Sequence, residues 1–311
     1  MTRPLISIIT PCLNRAGFVR EAVESVLAQD YPEFEHIVMD AGSTDGTLDI
    51  LRLYPHLRLV SEPDKGMYDG INKGLRLAGG EIIGLLNTDD LYAPGCFETV
   101  AAAFGQNPGA LAVVGGTSTF IDGAEGRVTV TSYPAIGPEE LWYRVIRGHP
   151  VTNAWFFSRD VFSRAGDFDS RFRFAADRFF LIHITLDCGV RPIAIPATLY
   201  HYRKHSGSAT ITDLDSRTPQ YGIQRMKTLQ EDIRGLEEFL DRPTLPGEIR
   251  RHLLRAHGEC CYRLSATGLY HRQWRLAFQA IRHGWGRNAL WPFIFSKMAV
   301  RRLHKEFTGH E

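Results

Sequence analysis

Four short runs rich in β-branched residues, each leading into polar residues and then a helical stripe or turn, fill the first ninety positions. Residues 5–10 are apolar and β-branched, and Pro11 ends the run. Residues 19–29 then carry apolar side chains at 19, 22, 23, 26 and 27, which is one face of a helix. Residues 36–40 and 57–60 read as the second and third strands, with a short helix over 47–53 between them. A helix over 67–78, stopped by Gly79 and Gly80, leads to a fourth strand over 82–86. Repeated β-α units of this length call for an α/β fold with a parallel sheet and helices on both faces. Ligands of such sheets bind beyond the carboxyl ends of the strands. Here those ends run into 11-PCLNR-15, 40-DAGSTDG-46, 62-EPDKG-66 and Asp89-Asp90, so one sheet edge collects the polar groups.

Composition narrows the classes further. With 311 residues, 44% hydrophobic and 23% charged, the chain can bury a sizeable core and reads as soluble and globular. A net charge of +1 gives no reason to expect nucleic acid. The five cysteines form no CxxC pair, which argues against a disulfide scaffold or structural zinc and for a reducing compartment. The first ten residues are too weakly apolar for a signal peptide, and no run of about 18 apolar residues spans a membrane. The expectation is a cytoplasmic protein. Charge is unevenly spread, however: residues 250–311 hold twelve basic residues and three acids, leaving the first 249 residues net acidic by eight. Two units are expected, a domain over 1–210 and a basic, Trp-rich helical extension over 211–311.

After Pro94 the expected elements are a helix over 96–104, a strand over 111–115, a β-excursion through 117–131, a strand over 154–157, a helix over 174–188 and a strand over 193–202. Beyond Tyr221 the pattern is helical, with breaks expected at Pro243, Pro246, Gly268 and Gly284-Trp285-Gly286.

Asp89-Asp90 is the sharpest chemical feature. Two adjacent carboxylates repel, and a hard divalent cation relieves them, although Asn87-Thr88-Asp89-Asp90 is equally good turn chemistry. Asp40 at a strand end can accept from a base or ribose, whereas Asp45 suits a helix cap. Lys65 or Lys73 can meet a phosphate as a point charge, or sit exposed on a helix as lysines usually do. No GxGxxG follows a strand and no GxxxxGK[ST] occurs, which disfavours hydride transfer and P-loop hydrolysis.

In order along the chain, 6-ISIITPCLN-14, 37-IVMDAGSTDGT-47 and 84-GLLNTDD-90 resemble the family 2 glycosyltransferases of the GT-A fold. The later stretch 156-FFSRDVFSRAGDFD-169 with 174-FAAD-177 is similar to the segment that carries that family's catalytic carboxylate. The resemblance covers about residues 4–205. It implies a Rossmann-like, mainly parallel sheet and a metal-assisted, inverting transfer of sugar from a nucleotide diphosphate, with Mg²⁺ or Mn²⁺ as cofactor. It also implies that Asn14, Asp40 and Asp69 line the uracil or ribose pocket, Asp89 sits near the ribose, Asp90 holds the metal, and Asp177 is the base. Pro11, Ser43 and Lys73 from the same loops complete the expected donor site. Ala41, Ala176 and Arg178 depart from the common pattern, and Arg178 beside Asp177 would lower its basicity. Asp177 also suits a helix N-terminus on charge alone.

His149, Thr152, Asn153 and Trp155 are candidates for an acceptor wall, with Trp155 either stacking on a sugar or buried in a strand. His201, Arg203, Lys204 and His205 read either as a lid over the diphosphate or as a basic surface loop. The segment 288–305 is apolar and then cationic, which suits a helix on an anionic membrane surface or one packed on the protein. The partners that the resemblance implies are a nucleotide-sugar donor and a saccharide or lipid-linked acceptor, in surface-polysaccharide assembly. Two other functions fit the same sheet edge: a nucleotidyltransferase, and a non-catalytic nucleotide-sugar-binding module.

Overall fold

The computed structural model describes residues 3–123, 126–137, 140–147, 152–205, 219–287, 292 and 296. The chain divides into two compact units, Met1–His205 and Ser206–Glu311. In the first, the element order is β1 (Ile6–Cys12), α1 (Val19–Leu27), β2 (Phe34–Asp40), α2 (Thr47–Leu51), β3 (Leu57–Ser61), α3 (Met67–Leu77), β4 (Ile82–Leu85), β5 (Leu91–Tyr92) and α4 (Cys96–Gln106). There follow β6 (Ala112–Gly123), β7 (Gly126–Tyr133), α5 (Leu141–Arg147), a 3-10 turn (Thr152–Ala154), β8 (Trp155–Ser158), α6 (Arg159–Ala165), α7 (Ala176–Leu186) and β9 (Ile193–Arg203).

Among the described residues nine strands form one sheet in the order β3-β2-β1-β4-β8-β6-β9-β5, with β7 attached to β6. The β3-β2-β1-β4 half is parallel, as the β-α pattern requires. Its central strands are mainly apolar because both faces are covered, and all seven residues of β1 are buried. The other half is mixed. β8 runs antiparallel to both β4 and β6, while β9 returns parallel to β6. The expected strand over 111–115 and the excursion after it are one long strand, β6, folded back as a hairpin with β7. Gly84 sits where the two halves meet. A Cβ there would stand 2.7–2.9 Å from Phe156, Ile8 and the Tyr92 hydroxyl, so only glycine lets that aromatic core close.

The second unit contains α8 (Pro219–Leu240), α9 (Gly247–Tyr270) and α10 (Trp274–Arg287). Pro243 and Pro246 fall between α8 and α9, as expected. The breaks expected at Gly268 and Gly284-Trp285-Gly286 do not occur, because these glycines lie inside α9 and α10. Gly268 is kept small by packing: a Cβ would meet the backbone of Ala277 at 3.2 Å. Glu237 of α8 ties the helices together, lying 3.1 Å from His257 Nε2 of α9 and 3.4 Å from Arg287 of α10.

His36 on β2 is wholly buried with the Thr10 hydroxyl 2.9 Å from Nε2. Burial, helped by neighbouring His56, pushes its pKa down to about 3. The unfolded chain takes up that proton near the ordinary histidine value of about 6.5, so acid favours unfolding. Stability should hold above that pH and fall as the pH drops towards 3. Urea titrations of wild type and His36→Gln should diverge by about 3 kcal/mol between pH 7 and pH 4.

Candidate active site

The carboxyl ends of β1 and β2 are knitted together by side chains. Asp40 is buried at the end of β2 and accepts from the backbone N–H groups of Gly42 (2.9 Å) and Ser43 (3.0 Å), and from the hydroxyls of Ser61 (2.7 Å) and Ser43. Burial opposes its charge, but these donors outweigh it and hold the carboxyl below its ordinary pKa. Asn14 takes a left-handed φ of 53°, accepts from Thr44 N–H at 2.9 Å and donates its own N–H to Ser43 Oγ at 2.8 Å. Asp45 accepts from Thr47 N–H (3.0 Å) and Ala16 N–H (3.1 Å), so it braces α2 and the β1-α1 loop at once, while Gly46 is the N-cap.

The third strand end joins them. A Cβ on Gly70 of α3 would stand 3.0 Å from the Asp64 carboxylate and 3.7 Å from Pro11, which places α3 against the β1 terminus. Asp69 accepts from Lys65 N–H at 3.0 Å. Lys73, read either as a phosphate contact or as an exposed helical lysine, reaches Glu62 at 2.8 Å and donates to the Pro63 carbonyl at 2.7 Å.

Asp89 and Asp90 differ sharply. Asp90 is only 1% exposed, and its oxygens accept from Tyr200 Oη (2.7 Å), Arg203 N–H (2.8 Å) and the Asn87 amide (3.2 Å). Burial, and then the charge of Asp89, push its pKa up to about 8. Asp89 is the more open of the two and lies 2.9 Å from His205 Nε2. Among the described residues no three His, Cys, Asp or Glu side chains cluster as metal ligands. The donor pair Asp89 and His205 fits a cation that draws its remaining ligands from phosphate oxygens and water; Asp90, with both oxygens already hydrogen-bonded, does not.

Asp177 lies in the first turn of α7, where the helix dipole favours its charge. It accepts from the Thr152 hydroxyl at 3.0 Å and from Arg178 N–H at 2.8 Å, while the Arg178 guanidinium donates to the Ile146 carbonyl. Asn153, next in sequence to Thr152, donates to Tyr200 Oη at 2.7 Å, and that hydroxyl donates to Asp90. Two consecutive residues of one 3-10 turn therefore touch Asp177 on one side and the Asp90 cluster on the other. The two acids, 87 positions apart, occupy the same end of the sheet.

Several expected positions change. Trp155 is fully buried in β8, stacked on Phe157 at 6.0 Å between ring centroids, and lines no acceptor wall. His201 and Arg203 belong to β9, so they cannot be a lid. His201 is 2.6 Å from Ser118 Oγ, and burial, then Arg127, hold its pKa below the usual histidine value. Arg203 is 3% exposed and holds Glu21 at 2.8 Å, Asp122, and the Asp89 carbonyl at 2.8 Å. His149 lies outside the described residues. Tyr200, which carries most of the cluster, was invisible in the sequence: a tyrosine in an apolar strand reads as core.

Residues 7–165 match the family model described as glycosyl transferase family 2. This chain belongs to that family. The glycosyltransferase is 30% identical to a PGL/p-HBAD biosynthesis glycosyltransferase of Mycobacterium tuberculosis over 65% of this chain and 75% of the relative. It is 33% identical to the chondroitin synthase of Escherichia coli over 53% of this chain, which spans 26% of that larger protein. The fold resembles the mannosyltransferase PcManGT of Pyrobaculum calidifontis, solved with GDP-Man and Mn²⁺ (TM-score 0.60, 20% identity, 99% of this chain and 82% of that one). It also resembles residues 1–349 of S. aureus TarS, solved with UDP (TM-score 0.54, 17% identity, 95% and 91%). The sheet and its helices are thus those of the GT-A fold, and the protein is an enzyme.

Tyr200→Phe removes one donor from buried Asp90 and leaves the Asn153 amide without its acceptor. It should cost about 1–3 kcal/mol of stability in denaturant titration. Turnover should fall as well, whereas a change at exposed Tyr133 should do neither.

Proposed function

We propose that the glycosyltransferase moves a sugar from a nucleotide-diphosphate donor, with UDP as carrier, to a hydroxyl of a saccharide or lipid-linked acceptor by single displacement with inversion. One observation carries this reading: Thr152 and Asn153 join Asp177 to the Asp89-Asp90 cluster at the sheet edge. A donor diphosphate at Asp89 and an acceptor hydroxyl at Asp177 would then approach from opposite sides of one short turn. TarS with UDP and the chondroitin synthase support the UDP and saccharide parts of the proposal. The GDP-Man and Mn²⁺ complex supports a divalent cation.

In this reading Asp40, with all its donors internal, shapes the loop that receives the nucleoside. Asn14 and Asp69 stand at the rim and meet the base and ribose. Asp89 and His205 hold Mg²⁺ or Mn²⁺, and Asp90 fixes the Asp89 backbone through Arg203. When bound, such a cation offsets the charge of the departing diphosphate. Asp177, oriented by Thr152, takes the proton of the acceptor hydroxyl, a contribution of about 10²–10⁴-fold. With one base and no second carboxylate placed as nucleophile among the described residues, the anomeric configuration inverts. The enzyme acts in surface-polysaccharide assembly at the cytoplasmic face of the plasma membrane, with its basic carboxyl-terminal region against anionic lipid.

Asp177→Asn should lower turnover by about 10²–10⁴-fold while UDP-sugar affinity, read by calorimetry, changes little. Turnover at the wild-type rate would remove Asp177 from the chemistry. Mn²⁺ should tighten UDP binding to the wild type by about tenfold, and Asp89→Ala should abolish that gain. Equal tightening in the variant would move the cation elsewhere.

A further inference from the structure

α10 buries Ala277, Ala280 and Gly284 against its own unit. A second row of its side chains faces outward. Trp274, Phe278 and Trp285 are 55%, 63% and 63% exposed. At 3.6 residues per turn these three positions fall within about 40° of one another around the helix, and half-buried Ile281 lies in the same stripe. Isolated apolar side chains on a surface need no explanation, but three large aromatic residues in one row form a patch. α10 contains no Asp or Glu. Exposed Arg275 and Arg282 border the stripe on the side away from the buried face, while Arg287 is committed to Asp241 and Glu237 of α8.

We propose that this face of α10 docks on an anionic lipid bilayer, with the aromatic rings at the acyl boundary and the two arginines among the headgroups. The inference rests on the membrane-proximal reading above and names the surface that makes the contact. Its buried side and its aromatic stripe occupy different faces along the described length, so the helix meets the bilayer lengthwise. Tryptophan has an apolar body and a polar N–H, which matches that boundary, and arginine attracts acidic headgroups. A second copy of the chain is a poorer fit: face to face, Arg275 and Arg282 would oppose their own copies, and α10 carries no acid to offset them. The chain also continues from α10 into a segment with Trp291, Phe293, Phe295, Lys297, Arg301 and Arg302, of the same aromatic and basic character.

The test is flotation of the full-length protein with phosphatidylcholine vesicles, with and without phosphatidylglycerol. Wild type should float with the phosphatidylglycerol vesicles and not with phosphatidylcholine alone. The triple variant Trp274→Ser, Phe278→Ser, Trp285→Ser should lose about tenfold or more of that partition, as should Arg275→Glu with Arg282→Glu. Ile223→Ser, which removes an exposed apolar side chain from α8, should float as wild type does. All variants should keep the wild-type unfolding temperature and transfer to a water-soluble acceptor. A wild type that fails to float, or variants that float undiminished, would overturn the proposal. So would lipid-free dimers in sedimentation velocity that vanish with the aromatic residues. A wild type that floats through α10 but transfers no sugar would support this surface and overturn the proposed reaction instead.

Discussion

A carboxylate shut away from water at the end of a strand is tolerable only if fixed donors surround it, and Asp90 has three of them. They come from opposite ends of the first unit. Asn87 precedes Asp90 by one turn, whereas Tyr200 and Arg203 arrive on β9, more than a hundred residues later. The register of β5 against β9, Tyr92 to Tyr200 and Leu91 to His201, brings them there. Arg203 then extends the network, because its buried guanidinium reaches Glu21 on α1 and Asp122 at the tip of β6. Phe120 and Phe18 pack on that guanidinium at 4.8 and 5.4 Å from their ring centroids. Removing one partner from such a buried set costs more than the set contributes as a whole, since it strands a charge.

This arrangement gives two adjacent acids different environments. Asp90 is turned inward: its oxygens accept from Tyr200, Arg203 and Asn87, and the Arg203 side chain donates to the carbonyl of Asp89. Asp89 is left more open, beside an imidazole rather than a guanidinium. The 3-10 turn completes the geometry. Thr152 and Asn153 have side chains too short to wander, and each is held by a hydrogen bond to a residue of a different element. Asp177 and the Asp90 cluster are thereby tied to one short turn.

Much of the parallel half of the sheet was legible beforehand. Strand and helix periodicities are local, so the four β-α units appeared at nearly their observed boundaries, and the polar residues that follow the strands hydrogen-bond to one another at one sheet edge. The ordered motifs through Asn14, Asp40 and Asp89-Asp90 pointed to the family that the comparison of residues 7–165 then bore out. The mixed half was harder. β5 is two residues long, α5 and α6 are seven each, and none is long enough to show a period. Gly268 reads as a helix break in any sequence, and only the approach of Ala277 explains a glycine inside α9. Arg203 in a basic stretch reads as surface, and only the strand pairing of β9 draws it inside.

What the amino-acid order determined by itself was the chemistry at hand: which acids follow which strands, how the apolar face of each helix runs, and where the basic residues gather. These follow from interactions between residues a few positions apart. The tertiary structure decided which of two neighbouring aspartates turns inward, that a strand tyrosine links that one to a distant turn, and that Trp155 is core while Trp274 is surface. Those choices depend on register and burial across separations of tens to hundreds of residues, where a one-residue slip sends a side chain to the opposite face.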